Sequence, residues 1–219
     1  VGLDDVKIKM HTVGICGSDI HYYEHGKIGQ WKVNEPMVLG HEGSGTVIDV
    51  GKNEKILKIG DRVCIEPQVV SKKTKEYKLG IYNYDQKVKF WATPPIHGCL
   101  TPEVVFPGDM VFKIPDSLSY AEGAMVEPLA VGMQGVTKAQ IKPGQIGLVM
   151  GCGPIGLVTA LAALAGGCSK VYIADILSEK LKICEHYSGL VPVDLSKENL
   201  PEKIMNDTKS WGVDRFFEC

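Results

Sequence analysis

Cys16, His41 and Glu42 place a thiolate, an imidazole and a carboxylate in two short glycine-bearing stretches, Gly14-Ile15-Cys16-Gly17-Ser18-Asp19 and Gly40-His41-Glu42-Gly43. These are the ligand types of an open, catalytic zinc site, in which three protein ligands leave a position for water or substrate. Gly40 follows Cys16 by 24 residues, and the small neighbours of His41 and Glu42 let backbone and metal approach closely. Glu127 is a further candidate. It precedes Pro128 in an otherwise apolar run, Ala124-Met125-Val126 and Leu129-Ala130-Val131. A solvated acid is poorly placed there, and a buried carboxylate needs a partner such as a divalent cation. Singly, each residue has an ordinary reading: Cys16 as core, His41 as a satisfied buried histidine, Glu42 and Glu127 as surface acids. The combination is what points to a metal.

A second constellation lies downstream. Gly151-Cys152-Gly153-Pro154-Ile155-Gly156 follows the apolar run Ile146-Gly147-Leu148-Val149-Met150 and opens a small-residue helix. An acid, Asp175, ends the next apolar run, 22 residues beyond Gly153. This is the context in which a glycine loop cradles a pyrophosphate at a helix N-terminus and an acid takes the adenosine ribose hydroxyls. The charge of Asp175 repels a 2′-phosphate, so NAD is expected over NADP. Lys180 is placed to contact the same ribose. The ordinary alternatives are a glycine-rich turn with no ligand and a solvated helix lysine. A Lewis-acid metal and a dinucleotide loop in one chain imply hydride transfer to or from a metal-bound alcohol.

The elements that must position these residues are of two kinds. Residues 6–115 read as β-rich: Val6-Lys7-Ile8-Lys9-Met10 alternates apolar and polar, and 45–51, 62–65 and 103–106 are further strands among glycine and proline punctuation. Residues 68–89 read as a polar surface loop. Ser119 to Lys138 reads as helical, opened by the capping box Ser119-Tyr120-Ala121-Glu122 and interrupted by Pro128. From residue 146, strands at 146–150, 171–175, 191–193 and 213–218 alternate with helices over 157–165 and 179–186. The fold class is therefore α/β, with a doubly wound parallel sheet in the second half.

The 219 residues suffice for one large or two small domains, and 44% hydrophobic content supplies an ordinary core. A net charge of −2 without long runs of one sign argues against nucleic acid or an anionic membrane as partner. No apolar stretch approaches the roughly 20 residues of a membrane span. The N-terminus lacks a basic then apolar leader pattern and an initiator Met. Seven cysteines, an odd and unclustered set, fit reduced thiols in a cytoplasmic enzyme.

Longer stretches carry a resemblance. Val13-Gly14-Ile15-Cys16-Gly17-Ser18-Asp19-Ile20-His21-Tyr22-Tyr23, Pro36-Met37-Val38-Leu39-Gly40-His41-Glu42, Gly60-Asp61-Arg62-Val63-Cys64-Ile65-Glu66-Pro67, Trp91-Ala92-Thr93-Pro94-Pro95 and Glu127-Pro128-Leu129-Ala130-Val131-Gly132 resemble the zinc-dependent medium-chain alcohol dehydrogenases. The likeness is greatest to the polyol branch of sorbitol and bacterial xylitol dehydrogenases. It implies a GroES-like catalytic domain over residues 1–138, a Rossmann domain over 139–219, and a site in the cleft between them. It implies zinc on Cys16, His41 and Glu42, with Glu127 bound directly or holding a zinc water. Ser18 would pass the substrate proton outward by way of His21, Tyr22 would line the polyol pocket, and Phe90 and Trp91 are weaker pocket candidates that by themselves read as loop packing residues. Gly151, Gly153, Pro154, Ile155, Gly156, Asp175 and Lys180 would hold NAD. The implied reaction takes a polyol to its 2-ketose through a zinc alkoxide and hydride transfer, in a homotetramer.

Three departures from the family pattern stand out. Residues 68–85 contain no cysteine, so the second, structural zinc of many relatives is expected to be absent. Glu54 stands where a small or apolar residue is usual. The chain is shorter than the family's, and is expected to lack the start of the first domain and the end of the second. Two other readings are a same-fold zinc oxidoreductase for another alcohol such as threonine, and a non-catalytic structural paralogue.

Overall fold

The computed structural model describes residues 1–219, and they divide into two compact units, Val1–Glu127 and Pro128–Cys219. The first is built on strands β1 (Asp5–Gly14), β4 (Glu42–Val50), β5 (Arg62–Ile65), β8 (Glu103–Pro107) and β9 (Val111–Lys113). They form an antiparallel sheet in the order β8-β1-β4-β5-β9. The alternation read at residues 6–10 buries Val6 and Ile8 completely, together with Val47 and Val63 of the neighbouring strands. Each such side chain contributes about 1.5–3 kcal/mol over its exposed state. The β1–β4 register slips between Lys7 and Ile8 and again between Met10 and Thr12, and then sets Gly14 opposite Glu42.

Between β1 and β4 lie helix α1 (Gly17–His25) and the short hairpin β2 (Lys27–Ile28) and β3 (Trp31–Lys32). The segment 68–89, expected as a plain loop, is more ordered. It contains the paired strands β6 (Gln68–Val69) and β7 (Lys89–Phe90) and the single turn α2 (Lys75–Lys78). Thr74 caps that turn by accepting from the Tyr77 N–H at 3.3 Å.

The capping box at Ser119 forms as expected. The Ser119 hydroxyl accepts from the Glu122 N–H at 3.1 Å, and the Glu122 carboxylate accepts from the Ser119 N–H at 2.7 Å. The helix it opens, α3 (Tyr120–Ala124), stops at Met125, and α4 (Val126–Ala139) follows. The interruption was expected at Pro128 and lies upstream of it. Pro128 sits in the first turn of α4, where a backbone N–H has no intrahelical acceptor to lose. The packing divides the chain within the first turn of α4.

The second unit is a parallel sheet of β10 (Ile146–Met150), β11 (Lys170–Asp175), β12 (Leu190–Asp194) and β13 (Arg215–Glu218), in the order β12-β11-β10-β13. Helix α5 (Pro154–Ala165) connects β10 to β11, α6 (Ser178–Leu181) follows β11, and α7 (Leu200–Asp207) connects β12 to β13. The helix expected over 179–186 is one α-turn that tightens to a 3₁₀ turn over Lys182–His186, which seats Leu181 and Cys184 in the core. Val149, Val171, Ile173 and Val193 are fully buried, as strands covered on both faces require. The chain moves outward from β10 through β11 to β12 and then returns to β10's other side with β13. The loop after β10 is therefore at the topological switch point, where sheets of this kind bind ligands. Gly132 of α4 lets that helix lie against α5, because a Cβ there would meet Thr159 N at 2.9 Å.

Candidate active site

In the first unit, β1 ends at Gly14 and Cys16 is the N-cap residue of α1. The strand pairing carries Glu42 to Gly14, and a Cβ on Gly14 would lie 2.0 Å from Glu42 Oε2. Glycine at 14 is what leaves room for this carboxylate. Gly40, at φ +87°, makes the turn that presents His41. The result is convergence: ligand atoms of Cys16, His41 and Glu42 all lie within 4.8 Å of one another, with His41 and Glu42 buried and Cys16 half-buried.

Asp19 holds the two ligand-bearing segments together. Its carboxylate, 2% exposed, accepts from the Cys16 N–H at 3.0 Å and from the Gly40 N–H at 2.8 Å. It also faces His41 Nδ1 at 3.8 Å. That nitrogen is buried without a hydrogen-bond partner. Asp19 stands in the motif Gly14-Ile15-Cys16-Gly17-Ser18-Asp19, where residue type alone assigns it no role. The available signal was its position three residues after an N-cap, where an acid reaches back to the cap N–H.

The electrostatics suit a cation. His41 holds the Cys16 thiol below its ordinary pKa against the opposing effect of burial, with smaller help from Ser18. Burial pulls the His41 imidazole down, but Cys16, Asp19 and Glu127 outweigh it and leave its pKa raised. Burial raises the pKa of Glu42, opposed by His41. Burial also raises Glu127, opposed by His41 and reinforced by Glu42. Two acids pushed toward neutrality beside a thiol pulled toward thiolate form a donor set that a divalent cation fits, since it would relieve the acids and bind the thiolate. Glu127 is half-buried and interacts electrostatically with His41 and Glu42, but it is outside the group of three that converge.

The other predicted residues fall at different distances from this centre. Ser18 and Tyr22 lie on α1 beside Cys16, and Tyr22 is buried. Tyr22, Trp31, Asp85, Phe90 and Pro95 are among the residues lining a cavity of about 550 Å³, and the Phe90 ring lies 5.5 Å from that of His41. Trp91 does not line this cavity. It is a core residue, 6% exposed, with its ring 4.3 Å from Phe106, just past the end of β7, where the chain enters a turn. His21 is exposed and stands edge-on to His25. Glu54 accepts from the Ile56 and Leu57 N–H groups and so closes its own loop.

In the second unit the glycine loop has the shape of a cradle. Gly151 takes φ +94°, and a Cβ on Gly156 would meet Gly151 O at 1.9 Å. Gly153 is the N-cap residue of α5, with open space where its Cβ would be, and Pro154 occupies the first helical turn ahead of Ile155. Backbone donors at this helix start are thus uncovered for an anion. Asp175 lies against the loop, accepting from the Cys152 and Leu177 N–H groups at 2.9 Å each. Those bonds, Cys152's first, keep its pKa low and the side chain ionised. Lys180 Nζ is 3.9 Å from it. These residues fit a dinucleotide.

Comparison with known proteins agrees with both halves. The sequence profile of the alcohol dehydrogenase GroES-like domain matches residues 2–116. A D-xylulose reductase of Morganella morganii is 56% identical over 220 residues, covering 100% of this chain and 65% of that protein. A sorbitol dehydrogenase of Arabidopsis thaliana is 40% identical over 223 residues, covering 100% and 61%. The chain belongs to the alcohol dehydrogenase GroES-like domain family, and over its whole length it is similar to D-xylulose reductases and sorbitol dehydrogenases. A dehydrogenase structure from Sinorhizobium meliloti bound to NADP superposes with a TM-score of 0.89 at 28% identity, covering 100% of this chain and 63% of that one. The chain thus spans less than two thirds of the length of these family members. No helix is long and apolar enough to cross a membrane.

Proposed function

We propose that the protein is a polyol dehydrogenase that oxidises xylitol, or sorbitol, to the 2-ketose with NAD, using one zinc ion on Cys16, His41 and Glu42. The observation that carries this reading is the convergence of those three ligand atoms within 4.8 Å. When bound by Cys16, His41 and Glu42, zinc would supply Lewis acidity at a substrate hydroxyl, and NAD held by the glycine loop would supply a hydride acceptor. Glu127, which interacts electrostatically with His41 and Glu42, would complete the ligand set or hold a water. Ser18 Oγ takes the hydroxyl proton, and His21, at the protein surface, passes it to solvent. Tyr22 orients the polyol chain in the cavity it lines. Asp175 binds the ribose hydroxyls and disfavours a 2′-phosphate, with Lys180 beside it. Segment 68–85, free of cysteine, offers no thiolates for a second zinc. A homotetramer in the cytoplasm is proposed from the family alone.

The test is metal content, NAD affinity and turnover of the whole protein on xylitol, sorbitol, a short diol and threonine, with NAD and with NADP, before and after Cys16→Ser. The expected outcome is one zinc per subunit, highest kcat/KM for a polyol with NAD, and loss of zinc and turnover in Cys16→Ser with NAD binding kept. Retained zinc and turnover in that variant would overturn the site. A preference for threonine would overturn the substrate class.

A further inference from the structure

Helix α1 carries a pair of side chains of metal-ligand type on its exposed surface. His21 and His25 are one helical turn apart and both exposed, with ring centroids 4.6 Å apart and an interplanar angle of 76°. Residues four apart on a helix share a face. Two imidazoles on one ion, with bonds of about 2.0–2.1 Å and a cis angle of about 90–109°, place their ring centres about 4.5–5.2 Å apart. The observed separation is within that range, and turning exposed rings until their nitrogens converge is a fast rotamer motion. Nothing lies within 4 Å of where a Cβ on Gly17, one turn before His21, would project. A Glu24 carboxylate oxygen lies 3.9 Å from His25 Nε2 and adds negative charge. The helix ends at His25, followed by Gly26 at φ 66°, so the pair occupies the end of the helix dipole that attracts cations.

We propose that His21 and His25 form a surface site for a borderline first-row divalent cation, of the class of Ni²⁺, Cu²⁺ and Zn²⁺, separate from the Cys16, His41 and Glu42 set. A cation held there occupies the His21 lone pair and stops it from carrying a proton, so excess metal slows polyol turnover. That consequence, unlike the binding itself, rests on the role proposed above for His21.

The experiment is calorimetric titration of Ni²⁺ into the zinc-loaded whole protein and its His21→Gln and His25→Gln variants. The unaltered protein is expected to bind one more Ni²⁺ per subunit than either variant, or to bind it with an affinity higher by more than the about 10-fold that loss of an outer-shell partner costs. Absence of Ni²⁺ binding, or equal binding by all three proteins, would overturn the site. Steady-state turnover with added Zn²⁺ is expected to fall in the unaltered protein and to hold in His25→Gln, whose basal turnover is unchanged. Ni²⁺ binding that depends on both histidines, without inhibition by Zn²⁺, would keep the site and remove His21 from the proton path. Absence of polyol turnover altogether would sink the proposed function while the calorimetry still decides the site.

Discussion

Replacing Asp19 with asparagine tests whether one buried carboxylate fixes the geometry of the metal ligands. Asp19 Oδ2 accepts from Cys16 N–H and Oδ1 from Gly40 N–H, at 3.0 and 2.8 Å, with 2% of the residue exposed. An asparagine has nearly the same shape but only one acceptor, so one of the two N–H groups comes to face an NH₂ group. A buried donor left without a partner costs about 1–3 kcal/mol. The same change removes the negative charge that faces His41 Nδ1 at 3.8 Å, and loss of such an outer partner weakens metal binding by about 10–100-fold. Asp19→Asn is therefore expected to lower the stability of the first unit by about 1–3 kcal/mol and to weaken zinc binding by one to two orders of magnitude. Asp19→Ala, which orphans both donors, should cost roughly twice as much stability. Urea unfolding, followed by the fluorescence of the buried Trp91, reads the first effect. Competition with a chelator of known affinity reads the second. An Asp19→Asn protein with an unchanged midpoint and unchanged zinc affinity would refute the argument, because neither backbone donor could then depend on the carboxylate.

Three further outcomes are expected. Gly156→Ala forces a Cβ against Gly151 O, 1.9 Å away in the present geometry, so the loop must open; NAD affinity measured by fluorescence titration should collapse while zinc content holds. Asp175→Ala removes the acceptor of the Cys152 and Leu177 N–H groups along with the charge, so it should narrow the ratio of kcat/KM for NAD over NADP as well as loosen the loop. Asp194 is held well below the usual carboxylate range by Lys197, Ser178 and Ser196. Its contribution to stability is present above the unfolded carboxylate value and is lost as pH falls below about 4; Asp194→Asn should be less stable at pH 7 and show a flatter acid dependence in circular dichroism between about pH 4 and 2.

Much of the architecture was legible in local pattern. The run at 146–150 became β10 within its predicted limits, and the Ser119 capping box formed with both of its hydrogen bonds. Such signals are short-range: an apolar run or a cap needs only its near neighbours to be readable. Readings that depended on competition between neighbours went less well. Pro128 was expected to interrupt a helix, yet its place in a first turn makes it harmless, and the interruption lies at Met125. Helix α7 went unread although Asn199 caps it, accepting from the Glu202 N–H at 3.1 Å. Phe90 and Trp91 each read either as a weak pocket residue or as packing; Phe90 lines the cavity, whereas Trp91, in the turn just past β7, packs in the core.

By itself the sequence determined the chemical inventory: a thiolate, an imidazole and carboxylates of zinc-ligand type, a glycine loop between strand and helix, and an acid 22 residues beyond its central glycine. Residue type settles what an atom can donate or bind, and a glycine loop is contiguous, so neither requires knowledge of distant contacts. Only the tertiary structure decided which of these groups meet. The antiparallel register of β1 and β4 sets Gly14 against Glu42, and the missing Cβ of Gly14 leaves the space that the carboxylate fills. Asp19 then ties the Cys16 turn to the Gly40 turn, 21 positions beyond Asp19 along the chain. Strand register and a hydrogen bond between remote backbone donors depend on the packing of the whole sheet, and no window of sequence contains that information.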